Sequence, residues 1–158
     1  MTGSVFEVPY AESVRMLTQQ AAALDNLRSR ASTILAAAAL VTTFLGAQAL
    51  AKPSAHLNTW GWAAIAALFG VLGCTLSVLY PWNHWHYGES ATKMIENLET
   101  IQPPLDLARL QRATAMNLEA DFRENEAALR RLARFFKLAC ILTVAETALW
   151  IINLESIS

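Results

Sequence analysis

Residues 31–51 read ASTILAAAALVTTFLGAQALA, and these 21 residues between Arg30 and Lys52 decide the fold because none of them is charged. At the 1.5 Å rise of an α-helix, a run of this length spans roughly 30 Å, which is the thickness of a bilayer's hydrocarbon core. Apolar residues occupy every face of such a helix, whereas a helix in a soluble bundle keeps a polar stripe. The run therefore predicts a first transmembrane span over residues 31–51.

Two further stretches repeat this pattern. Residues 60–82, WGWAAIAALFGVLGCTLSVLYPW, are also uncharged and long enough to cross a bilayer. Residues 135–154, FFKLACILTVAETALWIINL, are mostly apolar but contain Lys137 and Glu146. They predict a second and a third span, although a soluble or interfacial helix is also compatible with the two charges in the third. We expect no signal-peptide cleavage near Ala47, because a long helical segment precedes a long apolar run.

Composition narrows the function classes. Of the 158 residues, 54% are hydrophobic and 16% are charged, which excludes a disordered chain. Twelve Lys and Arg against thirteen Asp and Glu leave a net charge of −1, which argues against nucleic-acid binding. Cys74 and Cys140 fall within predicted spans, where we expect reduced packing residues. The chain has no phosphate-binding loop, Gly-x-Ser-x-Gly, Cys-x-x-Cys or His-Glu-x-x-His motif, so we expect neither an enzyme nor a cofactor.

Aromatic side chains cluster at the ends of the predicted spans. Trp and Tyr favour the membrane interface because their rings are largely apolar and yet carry a hydrogen-bonding group. His84 and His86 belong to the same aromatic segment and point in different directions on a helix, so we expect no metal site there. The tryptophans that we expect to act as interfacial anchors are Trp60, Trp62, Trp82, Trp85 and Trp150.

The distribution of Lys and Arg predicts the orientation. Residues 1–30 carry three basic residues, residues 83–137 carry eight, residues 52–59 carry only Lys52, and the tail after Leu154 carries none. Because positively charged flanks stay in the cytoplasm, we expect the N-terminus and residues 83–137 inside, and the 52–59 connector and the C-terminus outside. A two-span chain, whose C-terminus would stay inside, is also compatible with the uncharged tail.

The remaining parts are expected to be helical, so that residues 1–158 form a single all-α membrane domain. Residues 8–30 predict a cytoplasmic helix that runs uninterrupted into the first span. Residues 83–134 predict cytoplasmic helices divided at Pro103 and Pro104, the last of which runs into the third span.

An apolar seam on that last helix, with alternating four- and three-residue spacing, predicts a small cytoplasmic bundle within one protomer or between protomers. Asn125 within it either sets the register of the packing or lies at a solvated edge. The seam consists of Leu118, Phe122, Asn125, Leu129 and Leu132.

Glu146 is the candidate functional residue. It lies nine residues past Lys137, ~13 Å along a helix and near the centre of the third span. A carboxylate there costs at least ~2.5 kcal/mol, so it must face protein or water or carry a proton. It is either a protonated carboxyl group bonded to a neighbouring helix or a pore-lining or proton-sensing group. The candidate partners are Thr42, Thr43, Gln48, Thr75, Ser77 and Thr143.

Residues 24–35, LDNLRSRASTIL, carry a resemblance to a known class of membrane proteins. A charged helix that enters an Ala/Leu-rich span, turns in a short loop and returns resembles small bacterial modules of nucleotide-signalled antiphage systems. These are the two-transmembrane SLATT effector domains and the transmembrane Pycsar effectors. The likeness covers residues 15–154 in layout and residues 25–45 in residue pattern.

This resemblance implies a bacterial inner-membrane effector that forms homo-oligomers and compromises the membrane. The chain departs from the pattern because residues 83–137 contain no recognisable nucleotide-binding fold, so a partner protein would have to supply the signal. The alternative is a non-conducting anchor or scaffold whose cytoplasmic helices recruit a partner protein.

Overall fold

The computed structural model describes residues 5–51, 57–80, 85 and 106–157, and it contains no strand within those residues. The early part of the predicted 83–134 helical region, apart from Trp85, lies outside the described residues, as does Trp82. Three helices account for nearly all of the described residues. They are α1 (Glu7–Leu50), α2 (Thr59–Leu79) and α3 (Leu107–Ile157).

All three helices are long and apolar enough to span a membrane, which confirms the predicted all-α class and the three candidate spans. The helices α1 and α3 contain 44 and 51 residues, so each continues without a break from a charged segment into an apolar one. No Gly or Pro interrupts α3, and in α1 Pro9 lies in the first turn, where the missing N–H has no intrahelical partner to lose.

The chain divides into two compact units. One, here called the charged unit, comprises Met1–Leu24 and Asn83–Leu129. The other, here called the apolar unit, comprises Asp25–Trp82 and Arg130–Ser158 and contains all three predicted spans. The divisions fall within α1 and α3, so each of these helices contributes to both units.

The helices of the apolar unit pack through small side chains. Buried positions recur at intervals of seven, as at Ala31 and Ala38 on α1 and at Ala64 and Val71 on α2. Seven residues are two helical turns, so these positions form one stripe on each helix, as in coiled coils. The stripes leave the opposite faces of the helices uncovered.

Two glycines of α2 mark where α3 approaches closely. A Cβ atom on Gly70 would lie 2.9 Å from Cδ1 of Leu142, and one on Gly61 would lie 3.0 Å from Oδ1 of Asn153. A Cβ atom on Gly73 would meet nothing within 4 Å, since this glycine is on an open face. The contacts at Gly61 and Gly70 therefore depend on the absence of a side chain.

Asn58 links the beginning of α2 to the end of α3. Its Oδ1 accepts hydrogen bonds from the backbone N–H groups of Trp60 (2.9 Å) and Gly61 (3.1 Å), which caps α2. Its Nδ2 donates to Oγ of Ser156, and that hydroxyl donates to the backbone carbonyl of Asn153 at 2.8 Å. These bonds close one end of the apolar unit.

In the charged unit, Arg15 donates two hydrogen bonds to Glu12, at 2.5 and 2.9 Å, one turn apart on α1. This hydrogen bonding holds the pKa of the Glu12 carboxyl below its ordinary value. Both side chains are exposed to solvent, so the pair contributes little to stability.

Candidate functional site

Glu146 lies on the buried face of α3 and is 0% exposed. The buried positions on this face are Leu132, Ala139, Glu146 and Asn153, each seven residues from the next. The seam predicted from Leu118 onward therefore continues through the apolar end of α3. This register turns the carboxyl group towards the other helices.

A chain of two hydrogen bonds connects Glu146 to α1. The Thr42 hydroxyl donates to Oε1 of Glu146 and accepts a hydrogen bond from Nε1 of Trp150 at 3.0 Å. Thr42 is one of the six partners proposed from the sequence, and the structure selects it. One hydroxyl group thus joins two residues of α3 that lie one turn apart.

Trp150 is 2% exposed, although the sequence suggested a position at the interface. Its indole lies against Gly46, where an added Cβ would come within 3.3 Å of the ring. Together with Ala49 and Ala64, Trp150 forms the hydrophobic cluster beside the carboxyl group. The ring therefore lies inside the protein, because three small residues make room for it and Thr42 accepts from its N–H.

The site contains polar atoms that no described protein group satisfies. Oε2 of Glu146 is buried without a hydrogen-bond partner, and so are Nδ2 and Oδ1 of Asn153, which is 0% exposed. Buried polar atoms are nearly always bonded, and an unpaired one costs ~1–3 kcal/mol. These unpaired atoms therefore lower the stability of the fold at this site.

The polarity of the buried stripes is asymmetric about Glu146. Towards the C-terminus of α3 lie the buried Asn153 and then the exposed Ser156, and in the other direction lie the buried Ala139 and Leu132. Thr75 of α2 is also buried, but its hydroxyl donates to carbonyls of its own helix at 2.8 and 3.0 Å. On α3, the unsatisfied polar atoms of the apolar unit thus lie at Glu146 and Asn153, and among the described residues this unit also holds the unpaired Nε of Arg28 on α1.

The charged unit contains the first four residues of the predicted seam. Asn125 is 1% exposed, so it does not lie at a solvated edge. Nearby, Nε2 of Gln20 donates to the backbone carbonyl of Phe122 at 3.0 Å, which joins α1 to α3. A cavity of about 300 Å³ opens beside this contact, with Met16 and Leu118 among its lining residues.

Among the other predicted anchors, Trp60 and Trp62 are exposed at the beginning of α2, and Trp85 is half-buried. Over the described ranges 5–51, 57–80, 85 and 106–157, no group of three or more His, Cys, Asp or Glu side chains is placed to hold a metal ion. His84 and His86 lie outside these ranges.

No protein-family model matches the chain, and neither a curated protein nor a solved structure is significantly similar to it.

Proposed function

We propose that the chain is a multi-pass membrane protein that crosses the bilayer three times. The exposed apolar surface supports this. In the most apolar segments of α1, α2 and α3, only 17%, 28% and 17% of the residues are buried within the protein. Large side chains such as Leu40, Phe69 and Val144 point outward. Proteins that are monomeric in water rarely expose an apolar surface of this extent. A lipid environment satisfies it.

The proposed orientation follows from the charges. Eleven Lys and Arg residues lie in residues 1–30 and 83–137, against Lys52 alone in the 52–59 connector. The proposed membrane is the bacterial inner membrane, with the N-terminus in the cytoplasm and the C-terminus outside.

Homo-oligomer formation is part of the proposal. An open groove of about 560 Å³ runs along α1 between Leu40 and Ala51, and it includes the amide of Gln48. Small residues allow helices to approach closely in lipid, and a polar amide there can bond across an interface. This face suits a helix of a second copy.

The proposed activity is permeabilisation of the membrane by an effector or channel-like assembly, with antiphage defence as its proposed role. The observation that carries it is Glu146, a fully buried carboxyl group with only one of its two oxygens hydrogen-bonded by the protein. The hydrogen bond from Thr42 accounts for one oxygen of this carboxyl group but not for the buried second oxygen, and intramembrane carboxyl groups commonly serve ion and proton pathways. The buried stripes are closely packed, so conduction requires several copies or a rearrangement.

Ion release from liposomes tests this activity. The purified protein, reconstituted into vesicles loaded with a potassium salt and a pH-sensitive dye, should release ions or protons, and Glu146→Gln should reduce the rate severalfold. Val144→Leu is the matched control, since Val144 lies on the same helix but is 71% exposed and faces lipid in this proposal. Vesicles that stay sealed at high protein density and under membrane potential would contradict the activity. Equal release by the wild type and Glu146→Gln would contradict the role of the carboxyl group.

The cavity of the charged unit favours a second candidate, a non-conducting anchor whose cytoplasmic helices recruit a partner protein. Met16, Leu118 and Phe122 line a space of about 300 Å³ that an apolar side chain of a partner can fill. Its other lining residues are polar or charged, and these are Ser13, Glu119, Arg123 and Glu126. In this case Leu118→Glu should abolish cross-linking of a defined partner without changing membrane insertion. If the anchor alone is the function, neither the wild type nor Leu118→Glu releases ions from the vesicles.

A further inference from the structure

Two residues of α3 carry unsatisfied buried atoms within the apolar unit. Among the described residues, neither Oε2 of Glu146 nor either amide atom of Asn153 has a hydrogen-bond partner, and all three atoms are buried. The two residues are seven positions apart on one stripe, which places them ~10 Å apart along the axis. Between them and the end of α3, Ser156 and Asn58 form a hydrogen-bonded pair that is exposed. Between the two residues lies Trp150, whose ring packs with Ala49 and Ala64 and whose N–H donates to Thr42. Polar groups therefore occur at the surface of the unit, at Asn153 and at the carboxyl group, with the Trp150 ring beside them.

The surroundings of Glu146 decide its charge state. Residues 31–51 of α1 and Thr59–Leu79 of α2 contain no charged side chain, and Cys74 is their one titratable residue. On α3 the nearest ionic residues are Lys137 and Glu155, each nine positions away, or ~13 Å along the helix. With no cation near it in the part of the chain that the structure describes, an ionised carboxylate would leave an uncompensated charge on Oε2. A neutral carboxyl group avoids that charge and offers an O–H donor.

A neutral carboxyl group still needs an acceptor for its proton. The Thr42 hydroxyl already donates to Oε1, so the carboxyl O–H belongs on Oε2, which faces no protein acceptor. The amide of Asn153 likewise needs both a donor and an acceptor. Water supplies both functions in one small molecule, and buried waters typically make about three hydrogen bonds to such groups.

We propose that Glu146 is a proton-exchange site, reached by water from one end of the apolar unit. Water bonded to Oε2 exchanges past the Trp150 ring and the amide of Asn153 with the surface at Asn58 and Ser156, when local fluctuations open the apolar cluster around that ring. In the exchange, the carboxyl O–H bond breaks, its proton passes to the bound water, and a proton from that water replaces it. The opposite direction along the stripe is closed, because Ala139 and Leu132 are apolar.

This inference deepens the proposed function and rests on the membrane placement stated there. The site binds water and exchanges protons with it. In the proposed orientation, the open end faces the side of the 52–59 connector. The site therefore has access to one aqueous phase and is closed to the other.

Infrared spectroscopy of the full-length protein in proteoliposomes tests the site, with D₂O as the probe. The wild type should show a protonated-carboxyl band that is absent from Glu146→Gln, and the band should shift when D₂O replaces H₂O. Asn153→Leu should slow this shift by an order of magnitude or more, because an isobutyl group blocks the path. Asn153→Ser, which keeps a polar group, should restore fast exchange even if Asn153→Leu folds poorly.

Two controls fix the direction of access. Ala139→Val narrows the stripe on the closed side and should leave the exchange rate unchanged, and so should Val144→Leu on the exposed face. Absence of a protonated band at every pH, or equal exchange in Asn153→Leu and the wild type, would overturn the inference. Slowing by Ala139→Val in place of Asn153→Leu would also overturn it.

The ion-release assay on the same vesicles separates this inference from the proposed function. Fast, Asn153-dependent exchange in vesicles that release no ions supports the proton site and contradicts permeabilisation. Ion release, together with an exchange rate that is the same in the wild type and in Asn153→Leu, supports permeabilisation and contradicts the proton site.

Discussion

Replacing Thr42 with valine removes one hydroxyl group from the apolar unit and leaves a side chain of nearly the same shape. The hydroxyl donates to Oε1 of Glu146 and accepts from Nε1 of Trp150, so the substitution deletes two hydrogen bonds between α1 and α3. It also leaves Glu146 with no protein hydrogen bond at either carboxyl oxygen among the described residues. We therefore expect Thr42→Val to weaken the association of the two helices.

The size of the effect follows from the number of bonds. Interhelical hydrogen bonds in membrane proteins average ~0.6 kcal/mol and reach ~1.7 kcal/mol, so two of them predict a loss of about 1–3 kcal/mol. An unpaired buried group costs ~1–3 kcal/mol in soluble proteins, which would give about twice as much for two groups. The lower estimate applies here, because in the membrane the unfolded chain also finds hydrogen-bond partners.

Unfolding in mixed micelles of increasing SDS content, followed by circular dichroism, measures this free energy. Thr43→Val is the matched control, because Thr43 is exposed and its hydroxyl donates to the Ala39 carbonyl of its own helix at 2.7 Å. We expect a change below ~0.5 kcal/mol for the control, as for other surface substitutions. Equal destabilisation by Thr42→Val and Thr43→Val would refute the hydrogen-bond chain.

Two other substitutions probe packing and electrostatics. Gly61→Val should cost ~1–3 kcal/mol of unfolding free energy, because an added side chain presses on Leu57 Cδ2 and Asn153 Oδ1, 2.7 and 3.0 Å from the Cβ position. Gly73→Val on the same helix faces open space and should cost much less, and a reversed order of these two would contradict the packing of α2 against α3. Because the pKa of Glu12 is lowered in the folded state, its bond to Arg15 stabilises α1 above the carboxyl's ordinary pKa and is lost as the pH falls through the lowered value. Hydrogen–deuterium exchange near Glu12, corrected for intrinsic rates, should therefore rise more in acid for the wild type than for Glu12→Gln, and identical acid responses would count against the ion pair.

The spans were predictable from the sequence because crossing a bilayer requires only length and apolarity. The uncharged run at 31–51 meets these requirements whatever the other helices do. The partner of Glu146 was not predictable, because six hydroxyl and amide side chains lay within reach. Which of them bonds to Glu146 depends on how α1 and α3 are rotated about their axes. That rotation results from tertiary packing and cannot be predicted from the local sequence.

Trp150 and Asn153 show what the sequence analysis missed. Trp150 lies near the end of a span, as an interfacial anchor does, but its ring is buried against Gly46, which is 104 positions earlier in the chain. Such a contact depends on tertiary packing. Asn153, in contrast, could have been found, because steps of seven from Leu132 lead through Ala139 and Glu146 to it. Periodicity identified the seam, and its extension into the third span identifies the buried polar site.

The side of the membrane on which the C-terminus lies tests the three-span topology most directly. Alkaline phosphatase, which is active outside the cytoplasm, and a green fluorescent protein, which folds inside, can each be fused after residue 158 and expressed in bacteria. The proposed topology predicts active phosphatase and no fluorescence, because the third span carries the C-terminus outside and places Glu146 within the bilayer. A fluorescent fusion with inactive phosphatase would contradict it, since α3 would then not cross the membrane.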